Sequence, residues 1–395
     1  MVRVASICTL YETRRRAGRF RRVLHPCEAA GNPRDANFPY AARMATTPPT
    51  ETPHDTLRHL VGGDTLSESQ AEALFESLLT GGLDDAQIAG VLSLIQSRGV
   101  TVDEIVGAAR VMRRHVTPVP RPAGTDDAVL IDTCGTGGAP KTFNVSTAAA
   151  IVAAAASTGA TRVLVAKHGN RSRTGRGSAE VLEALGVNVA ASPETQSRCL
   201  GEAGVCFCFA IHHHPAMKHA IGPRRSLGFP TIFNILGPLT NPAGADRQLI
   251  GVYDARFLPL LGQALVRLGA TRAVIAHAAD GLDELSTTAP TSLVHVEGGT
   301  TREQTIDPAS LGLAPATLDD LQAADVEDSA RIIRDVLGGE PGPHRDMVLL
   351  NAAAALVVAD VASELREAIG MASDAIDKGR AAAALETLTR VSHTA

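Results

Sequence analysis

The sequence lacks any apolar run of the roughly 18 residues that a membrane-spanning helix needs. The longest candidate, 147–158, is rich in alanine and ends in Ser157-Thr158. Only six cysteines occur in 395 residues, without the paired spacing of a metal site or the density of a disulfide framework. We therefore expect reduced thiols, a cytoplasmic location and no membrane partner.

An excess of positive charge is also missing, because the net charge is −5, which argues against a nucleic-acid partner. The charge is unevenly distributed. Residues 1–43 hold nine arginines against three acidic residues, which leaves −11 for the rest of the chain. We interpret residues 1–55 as a basic tail, either disordered or translated from sequence upstream of a start at Met44. An arginine-rich targeting peptide is the alternative.

Three capping signals begin helices between residues 56 and 118. Ser67-x-x-Gln70 and Thr101-x-x-Glu104 have the capping-box spacing, and Asp84 precedes a third run of apolar residues at helical spacing. Three short amphipathic helices are too few to bury all their apolar faces alone. The pattern therefore predicts a small helical domain over 56–118, completed by a later helical segment or by a second subunit.

A proline-rich linker, with Pro118, Pro120 and Pro122, ends this helical pattern. Strands, glycine-rich loops and helices then alternate. Strands are predicted at 129–132, 162–166, 205–209, 248–252 and 272–276. Helices are predicted at 144–157, 178–185, 257–268 and over most of 346–389. This alternation predicts a large α/β domain over 119–395, with a mainly parallel sheet flanked by helices and a helical C-terminus.

Two glycine-rich loops follow successive predicted strands, and each precedes a helix. The first contains Gly135-Thr-Gly-Gly138, and the second runs from Lys167 to Ser178 with four cationic side chains. Backbone N–H groups of such loops and of helix N-termini bind anions. Since loops at the carboxyl ends of parallel strands line one crevice, the pair predicts a ligand with two phosphate groups. A tight turn and a solvated basic loop are the alternatives.

Other charged segments fit the same crevice. Asp283-Glu284 follows a predicted strand, and paired carboxylates beside phosphates are typical Mg²⁺ ligands, with a solvated acidic turn as the alternative.

The consecutive histidines 212–214 cannot all bind one zinc ion, so we expect one of them to line a pocket. Arg224-Arg225, at the predicted start of a helix beyond Pro223, suits carboxylate recognition. A surface arginine pair is the alternative.

Taken together, the motifs resemble the anthranilate phosphoribosyltransferase family over about residues 60–392. The segments that carry the resemblance are Gly135–Gly138 with Thr142-Phe-Asn-Val-Ser-Thr147, Lys167-His-Gly-Asn-Arg-Ser172, Thr231–Pro242 and Asp280-Gly-Leu-Asp-Glu284. The resemblance implies an Mg²⁺-dependent homodimeric enzyme of tryptophan biosynthesis. Such an enzyme joins anthranilate to 5-phosphoribosyl diphosphate (PRPP) in a cleft between two domains. The alternatives are a nucleoside phosphorylase of the same fold and a non-catalytic relative that binds nucleic acid.

The resemblance also implies a role for particular residues. Those implied for PRPP are Gly135, Gly138, Thr142, Asn144, Val145, Ser146, Thr147, Lys167, His168, Gly169, Asn170, Arg171, Ser172, Arg173, Thr174 and Ser178. Those implied for anthranilate are Gly135, Asn170, His214, Arg224 and Pro238, and those for Mg²⁺ are Ser146, Asp283 and Glu284. No general base is required, and His168 is the candidate if one acts.

Both loops depart from the family pattern. Ala139 stands where the family usually has aspartate, and each loop is about one residue short. The second loop has Arg173 and Arg176 where the family more often has small hydroxyl residues or a lysine. Our hypothesis is that Arg173 or Arg176 takes over phosphate contacts.

Overall fold

A computed structural model of the chain describes residues 52–140, 142–157, 161–172 and 175–394. The basic tail predicted over 1–55 lies outside the described residues, except that its last residues form the first turn of a helix. That helix begins at Pro53. No helix in the described part of the chain has the length and apolar character to cross a membrane.

An amino-terminal bundle contains α1 (Pro53–Val61), α2 (Glu68–Thr80), α3 (Asp85–Arg98) and α4 (Val102–Arg114). The three predicted caps are confirmed, because the side chains of Ser67, Asp84 and Thr101 each accept the backbone N–H three residues later. Helix α1 was not predicted, although Thr52 and Asp55 form a capping box there as well.

One seven-stranded sheet forms the centre of the large domain. Its strands are β1 (Val129–Gly135), β2 (Val163–Gly169), β3 (Val205–Phe209), β4 (Arg247–Gly251), β5 (Arg272–Ala278), β6 (Thr291–Glu297) and β7 (Thr300–Ile306). The order is β3-β2-β1-β4-β5-β6-β7, in which β1 to β5 are parallel and the β6–β7 hairpin is antiparallel. The predicted mainly parallel sheet is confirmed, and the hairpin was missed.

Eleven α-helices in the described residues follow the bundle. They are α5 (Val145–Ala156), α6 (Ser178–Ala184), α7 (Pro193–Ala203), α8 (Ala210–His213), α9 (Lys218–Leu227), α10 (Ile232–Leu236), α11 (Phe257–Arg267), α12 (Val326–Leu337), α13 (Pro343–Val358), α14 (Leu365–Asp377) and α15 (Arg380–Ser392). Helices α5 and α13 to α15 share one core with β1 to β3. Helices α10 and α11 share the other core with β4, β5 and the bundle.

Helices α9 and α10 pack against the bundle. Ala220 and Phe233 belong to the same buried core as the bundle helices, and the Phe233 ring meets the Phe75 ring edge-on at 5.7 Å between centroids. The boundary at residues 118 and 119 stays a prediction.

The prediction that Arg224 and Arg225 begin a helix was wrong. Pro223 lies inside α9, which begins five residues earlier at Lys218, so the two arginines occupy its last turn. The proline therefore does not start this helix. Cations in a last turn are favoured by the helix dipole, which is the physical reason for their position.

Candidate active site

The carboxyl ends of β1, β4 and β5 meet where the strand order changes direction, the usual ligand crevice of an open α/β sheet. Two glycines let a carboxylate turn approach this edge. A Cβ on Gly251 would lie 1.6 Å from the carbonyl oxygen of Asp283, and one on Gly135 would lie 2.9 Å from its Oδ2. Gly138 adopts a positive φ of 102° in the loop after β1. The glycines therefore place the loop, the strand ends and Asp283 together.

The turn that carries Asp283 and Glu284 is held by neighbours from outside the crevice. Asp280 Oδ2 accepts the hydroxyls of Ser286, at 2.7 Å, and Thr288. Asn351 in α13 accepts the N–H of Leu285 at 3.0 Å and donates to its carbonyl at 2.8 Å. Asp280 thus shapes the turn and leaves Asp283 and Glu284 at the crevice. Asn351 was not predicted, because nothing in the local sequence marks a partner 66 residues away.

Lys167, at the end of β2, is buried against the first loop and α5. Its Nζ donates to the Thr133 carbonyl at 2.7 Å and to Ser146 Oγ at 3.1 Å. Burial lowers the pKa of Lys167, and the nearby Asp132 carboxylate opposes that change. The two hydrogen bonds therefore hold Nζ in place near Asp283 and Glu284.

The two carboxyl groups disfavour each other's charge. Burial and the neighbouring Asp283 raise the pKa of Glu284 to about 8, against the opposing effects of Lys167 and of the Ser146 backbone and hydroxyl donors. Burial likewise raises the pKa of Asp283. A cation placed between them relieves this repulsion.

The donor set here fits a hard divalent cation. Ser146, Asp283 and Glu284 line a cavity of about 10 Å³, room for about one water-sized group. No group of three or more His, Cys, Asp or Glu within the described ranges forms a metal cluster by itself. An Mg²⁺ ion at this place would complete its coordination with water and ligand phosphates, as that ion usually does.

Helix α5 begins at this crevice with an unusual cap. Its N-cap residue, Asn144, makes no side-chain bond to the helix. Instead, Asn144 bonds to Ser329 of α12 through both its backbone N–H and its side chain. Of the other residues predicted here, Thr142 and Ser146 are half-buried, whereas Val145 and Thr147 are buried. The roles of Val145 and Thr147 in PRPP binding stay predictions.

Arg171 and Arg176 of the second loop both bond to other parts of the protein. Arg171 forms two bonds to Glu183, at 2.9 and 2.5 Å, and Arg176 donates to the carbonyls of Ala323 and Ala324. Asn170 Oδ1 accepts the N–H of Arg171 at 2.8 Å. Gly169 and Ser178 mark the ends of this loop, at β2 and α6, with Ser172 between them. Arg173 and Thr174 lie outside the described residues.

A pair of buried histidines lies beside Lys167. Nε2 of His168 is 3.3 Å from Nε2 of His214, and Nδ1 of His168 is 3.1 Å from the carbonyl of Gly237. A carbonyl only accepts, so Nδ1 carries the proton and Nε2 of His168 accepts from His214. Burial, and secondarily the neighbouring histidine, lowers the pKa of His168 to about 3 and that of His214 to about 4. Both rings are neutral at pH 7.

His213 has a different position from its neighbour. Its ring contacts the Thr117 carbonyl at 2.7 Å and Gln196 Oε1 at 2.9 Å, and its own carbonyl accepts the N–H of Thr117 at 2.8 Å. It therefore holds the linker after α4. His212 is exposed. Of the three histidines, His214 is the one that lies beside His168.

Arg224 is half-buried with its guanidinium 5.3 Å from the ring centroid of Phe233. It forms no ion pair with any carboxylate in the described part of the chain. Burial lowers its pKa, yet an arginine stays charged at neutral pH. Pro238 follows α10 and is buried, with its carbonyl accepting from Gln248 at 2.6 Å. A half-buried, unpaired guanidinium is a suitable receptor for a carboxylate.

Comparison with known protein families gives two matches. The model of the glycosyl transferase family a/b domain matches residues 127–382, and that of the glycosyl transferase family helical bundle domain matches residues 54–116.

Curated relatives match over nearly their whole length. Anthranilate phosphoribosyltransferase of Rubrobacter xylanophilus is 48% identical over 341 residues, which cover 86% of this chain and 97% of that protein. The protein of the same name from Thioalkalivibrio sulfidiphilus is 49% identical over 332 residues, 84% of this chain and 95% of that protein.

Solved structures show the same fold. The crystal structure of anthranilate phosphoribosyltransferase from Thermus thermophilus has a TM-score of 0.79 and 38% identity, over 86% of this chain and 100% of that one. Anthranilate phosphoribosyltransferase from Saccharomyces cerevisiae in complex with PRPP and Mg has a TM-score of 0.78 and 25% identity, over 86% and 98%.

Proposed function

The chain belongs to the anthranilate phosphoribosyltransferase family, and on this premise we propose how its residues divide the reaction among them. The enzyme transfers the 5-phosphoribosyl group of PRPP to the amine of anthranilate. The products are N-(5-phosphoribosyl)anthranilate and pyrophosphate, in L-tryptophan biosynthesis. The comparisons thus favour the transferase over the nucleoside phosphorylase that the sequence left open.

The first loop, the start of α5 and Lys167 bind the diphosphate of PRPP in this proposal. Displacement at the ribose carbon builds negative charge on the departing pyrophosphate, so fixed cations and N–H donors aimed at it lower the barrier. Lys167 supports this role, because its Nζ is anchored by Thr133 and Ser146 at the edge of the crevice. The glycine loop after β1 adds backbone donors without side chains in the way.

Mg²⁺ binds at Ser146, Asp283 and Glu284 in this proposal. The single observation that supports it is that the turn with Asp283 and Glu284 packs closely against Gly135 and Gly251, where burial raises the pKa of both carboxyl groups. The Saccharomyces cerevisiae relative is described in complex with PRPP and Mg. When bound, the ion supplies charge that stabilises the leaving diphosphate.

Anthranilate is recognised through its carboxylate by Arg224, and Asn170, His214, Pro238 and Gly135 line its path. The guanidinium is half-buried and without a carboxylate partner among the described residues, which supports this role. The aromatic amine is neutral at pH 7, so it needs orientation more than activation. With a pKa of about 3, His168 is a weak base, and we assign it an orienting role.

We also propose a homodimer and a cytoplasmic location. The homodimer is supported by two exposed apolar side chains on the bundle side, Val61 and Ile221, which a second subunit would cover. The cysteines of the described ranges, Cys134, Cys199, Cys206 and Cys208, are buried free thiols, as a reducing compartment allows.

The experiment that tests the function is a fluorescence assay. Anthranilate fluorescence should fall on addition of PRPP and Mg²⁺, and a chelator should stop the fall. The Asp283→Asn, Glu284→Gln double variant should lose Mg²⁺-dependent turnover. Normal activity in that variant, with the same Mg²⁺ requirement, would remove the metal assignment.

A further inference from the structure

Ser329 lies in α12, is 1% exposed and bonds to a residue 185 positions earlier in the chain. Its hydroxyl oxygen accepts the backbone N–H of Asn144 at 3.1 Å, and its hydroxyl proton is donated to Asn144 Oδ1 at 3.0 Å. One hydroxyl therefore fixes both the backbone and the side chain of Asn144.

This pair of bonds changes what Asn144 does at the start of α5. An asparagine at an N-cap ordinarily turns its Oδ1 back to accept a backbone N–H of the first helical turn. Here Oδ1 accepts the Ser329 hydroxyl proton instead, and α5 has no side-chain cap bond. The amide Nδ2 of Asn144 has no hydrogen-bond partner within the described residues. Since the two ends of an amide differ only in donor and acceptor character, the bond to Oδ1 determines which end faces away from Ser329.

We propose that Ser329 is a positioning residue for PRPP: by holding Oδ1 of Asn144, it directs the Nδ2 donor toward a phosphate oxygen of the substrate. The inference rests on the proposed role of Asn144 in PRPP binding. Without the serine, the amide is free to rotate and to cap α5 with Oδ1 instead. The donor would then be present in the crevice for only part of the time.

Residues 321–329, which we call the strap, hold Ser329 close to the end of the first loop. The N–H of Phe143 donates to the Leu321 carbonyl at 3.2 Å, and the Phe143 ring meets the His344 ring edge-on at 5.0 Å between centroids. Arg176 of the second loop donates to strap carbonyls as well. The part of the strap that precedes Ser329 is thus bonded to both loops.

The test is steady-state kinetics and PRPP titration with Ser329→Ala and the size-matched Ser329→Cys. Each should raise the KM for PRPP and its Kd by about fivefold, the effect of one misdirected hydrogen bond, with less than a twofold change in KM for anthranilate. The matched control is Ser392→Ala. Ser392 is also a buried helical serine that accepts an asparagine N–H, from Asn188 at 3.0 Å, but it lies in α15. It should leave both KM values unchanged.

A double-mutant cycle separates this inference from the proposed function. In an Asn144→Ala background, Ser329→Ala should add no further loss of PRPP affinity, because its target is gone. An additive loss, or unchanged PRPP affinity in both Ser329 variants, would overturn the positioning role. If Asn144→Ala itself leaves PRPP affinity unchanged, the proposed role of Asn144 fails instead.

Discussion

Arg224 and its sequence neighbour Arg225 have different surroundings. Arg224 is half-buried over the Phe233 ring, whereas Arg225 is exposed on the same helix turn. Both arginines were predicted in the wrong part of their helix, yet the choice of Arg224 for the carboxylate does not depend on that error. It depends on burial and on a neighbouring ring, which sequence alone does not give.

Replacing Arg224 with alanine should raise the KM for anthranilate at least about tenfold, because a charge-assisted bond to the substrate carboxylate is lost. The KM for PRPP should change less than twofold. Steady-state kinetics with each substrate varied in turn measures both, with Arg225→Ala as the matched control. Equal effects on the two substrates would argue against the carboxylate role.

The histidine pair makes stability depend on pH. The folded pKa values of about 3 for His168 and about 4 for His214 lie below the ordinary value of 6.5. Below pH 6.5 the unfolded chain therefore binds protons that the folded chain excludes. The stability present above pH 6.5 is lost as the pH falls toward the folded values, by up to about 1.4 kcal/mol per pH unit for each ring.

Urea unfolding of the wild type and of His214→Asn at pH 7 and pH 5 measures this effect. The variant should lose less unfolding free energy between the two pH values than the wild type does. The same loss in both proteins would show that His214 is not buried in its neutral form.

At the scale of elements, the glycines at the strand ends determine whether the carboxylate turn reaches the crevice. The parallel strands and the capped helices could be predicted from alternation and capping signals, because these are local. The β6–β7 hairpin also had a local signal, the Gly298-Gly299 pair between two strand-like runs, which we missed. The contacts of Asn351 and Ser329 could not be predicted, because they join segments far apart in sequence.

Gly251→Ala should displace the carboxylate turn, since the new Cβ would meet the Asp283 carbonyl at 1.6 Å. We expect Mg²⁺-dependent turnover to fall at least about tenfold, as a misplaced site commonly costs much more than that. Gly370→Ala is the control, because its Cβ has no neighbour within 4 Å in α14. It should keep full activity and gain up to about 1 kcal/mol of unfolding free energy. Full activity in Gly251→Ala would show that the turn does not need this contact.

At the scale of the whole molecule, the bundle and the sheet share a core. Phe75 of α2 is fully buried in the same cluster as Phe233 of α10, Leu261 of α11 and Ile275 of β5. The bundle alone therefore does not bury the apolar faces of its helices. The small number of predicted helices had already indicated this. This continuity keeps Arg224, at the end of α9, in place beside the large domain.

Phe75→Ala should lower the unfolding free energy by about 3–5 kcal/mol, the usual cost of emptying a buried phenylalanine site. Because the core is continuous, the loss should appear in one cooperative denaturation transition. Ile211→Ala, at a side chain 55% exposed, should change stability by less than about 0.5 kcal/mol. A separate early transition in Phe75→Ala would show that the bundle unfolds independently.

A crystal structure of the chain with PRPP and Mg²⁺ is the most direct test of the central claim, that one crevice holds the departing diphosphate. The diphosphate should lie between the Gly135–Gly138 loop and Lys167, with the metal ion on Asp283 and Glu284. A diphosphate bound away from these residues, or a metal ion that contacts neither carboxylate, would contradict the account.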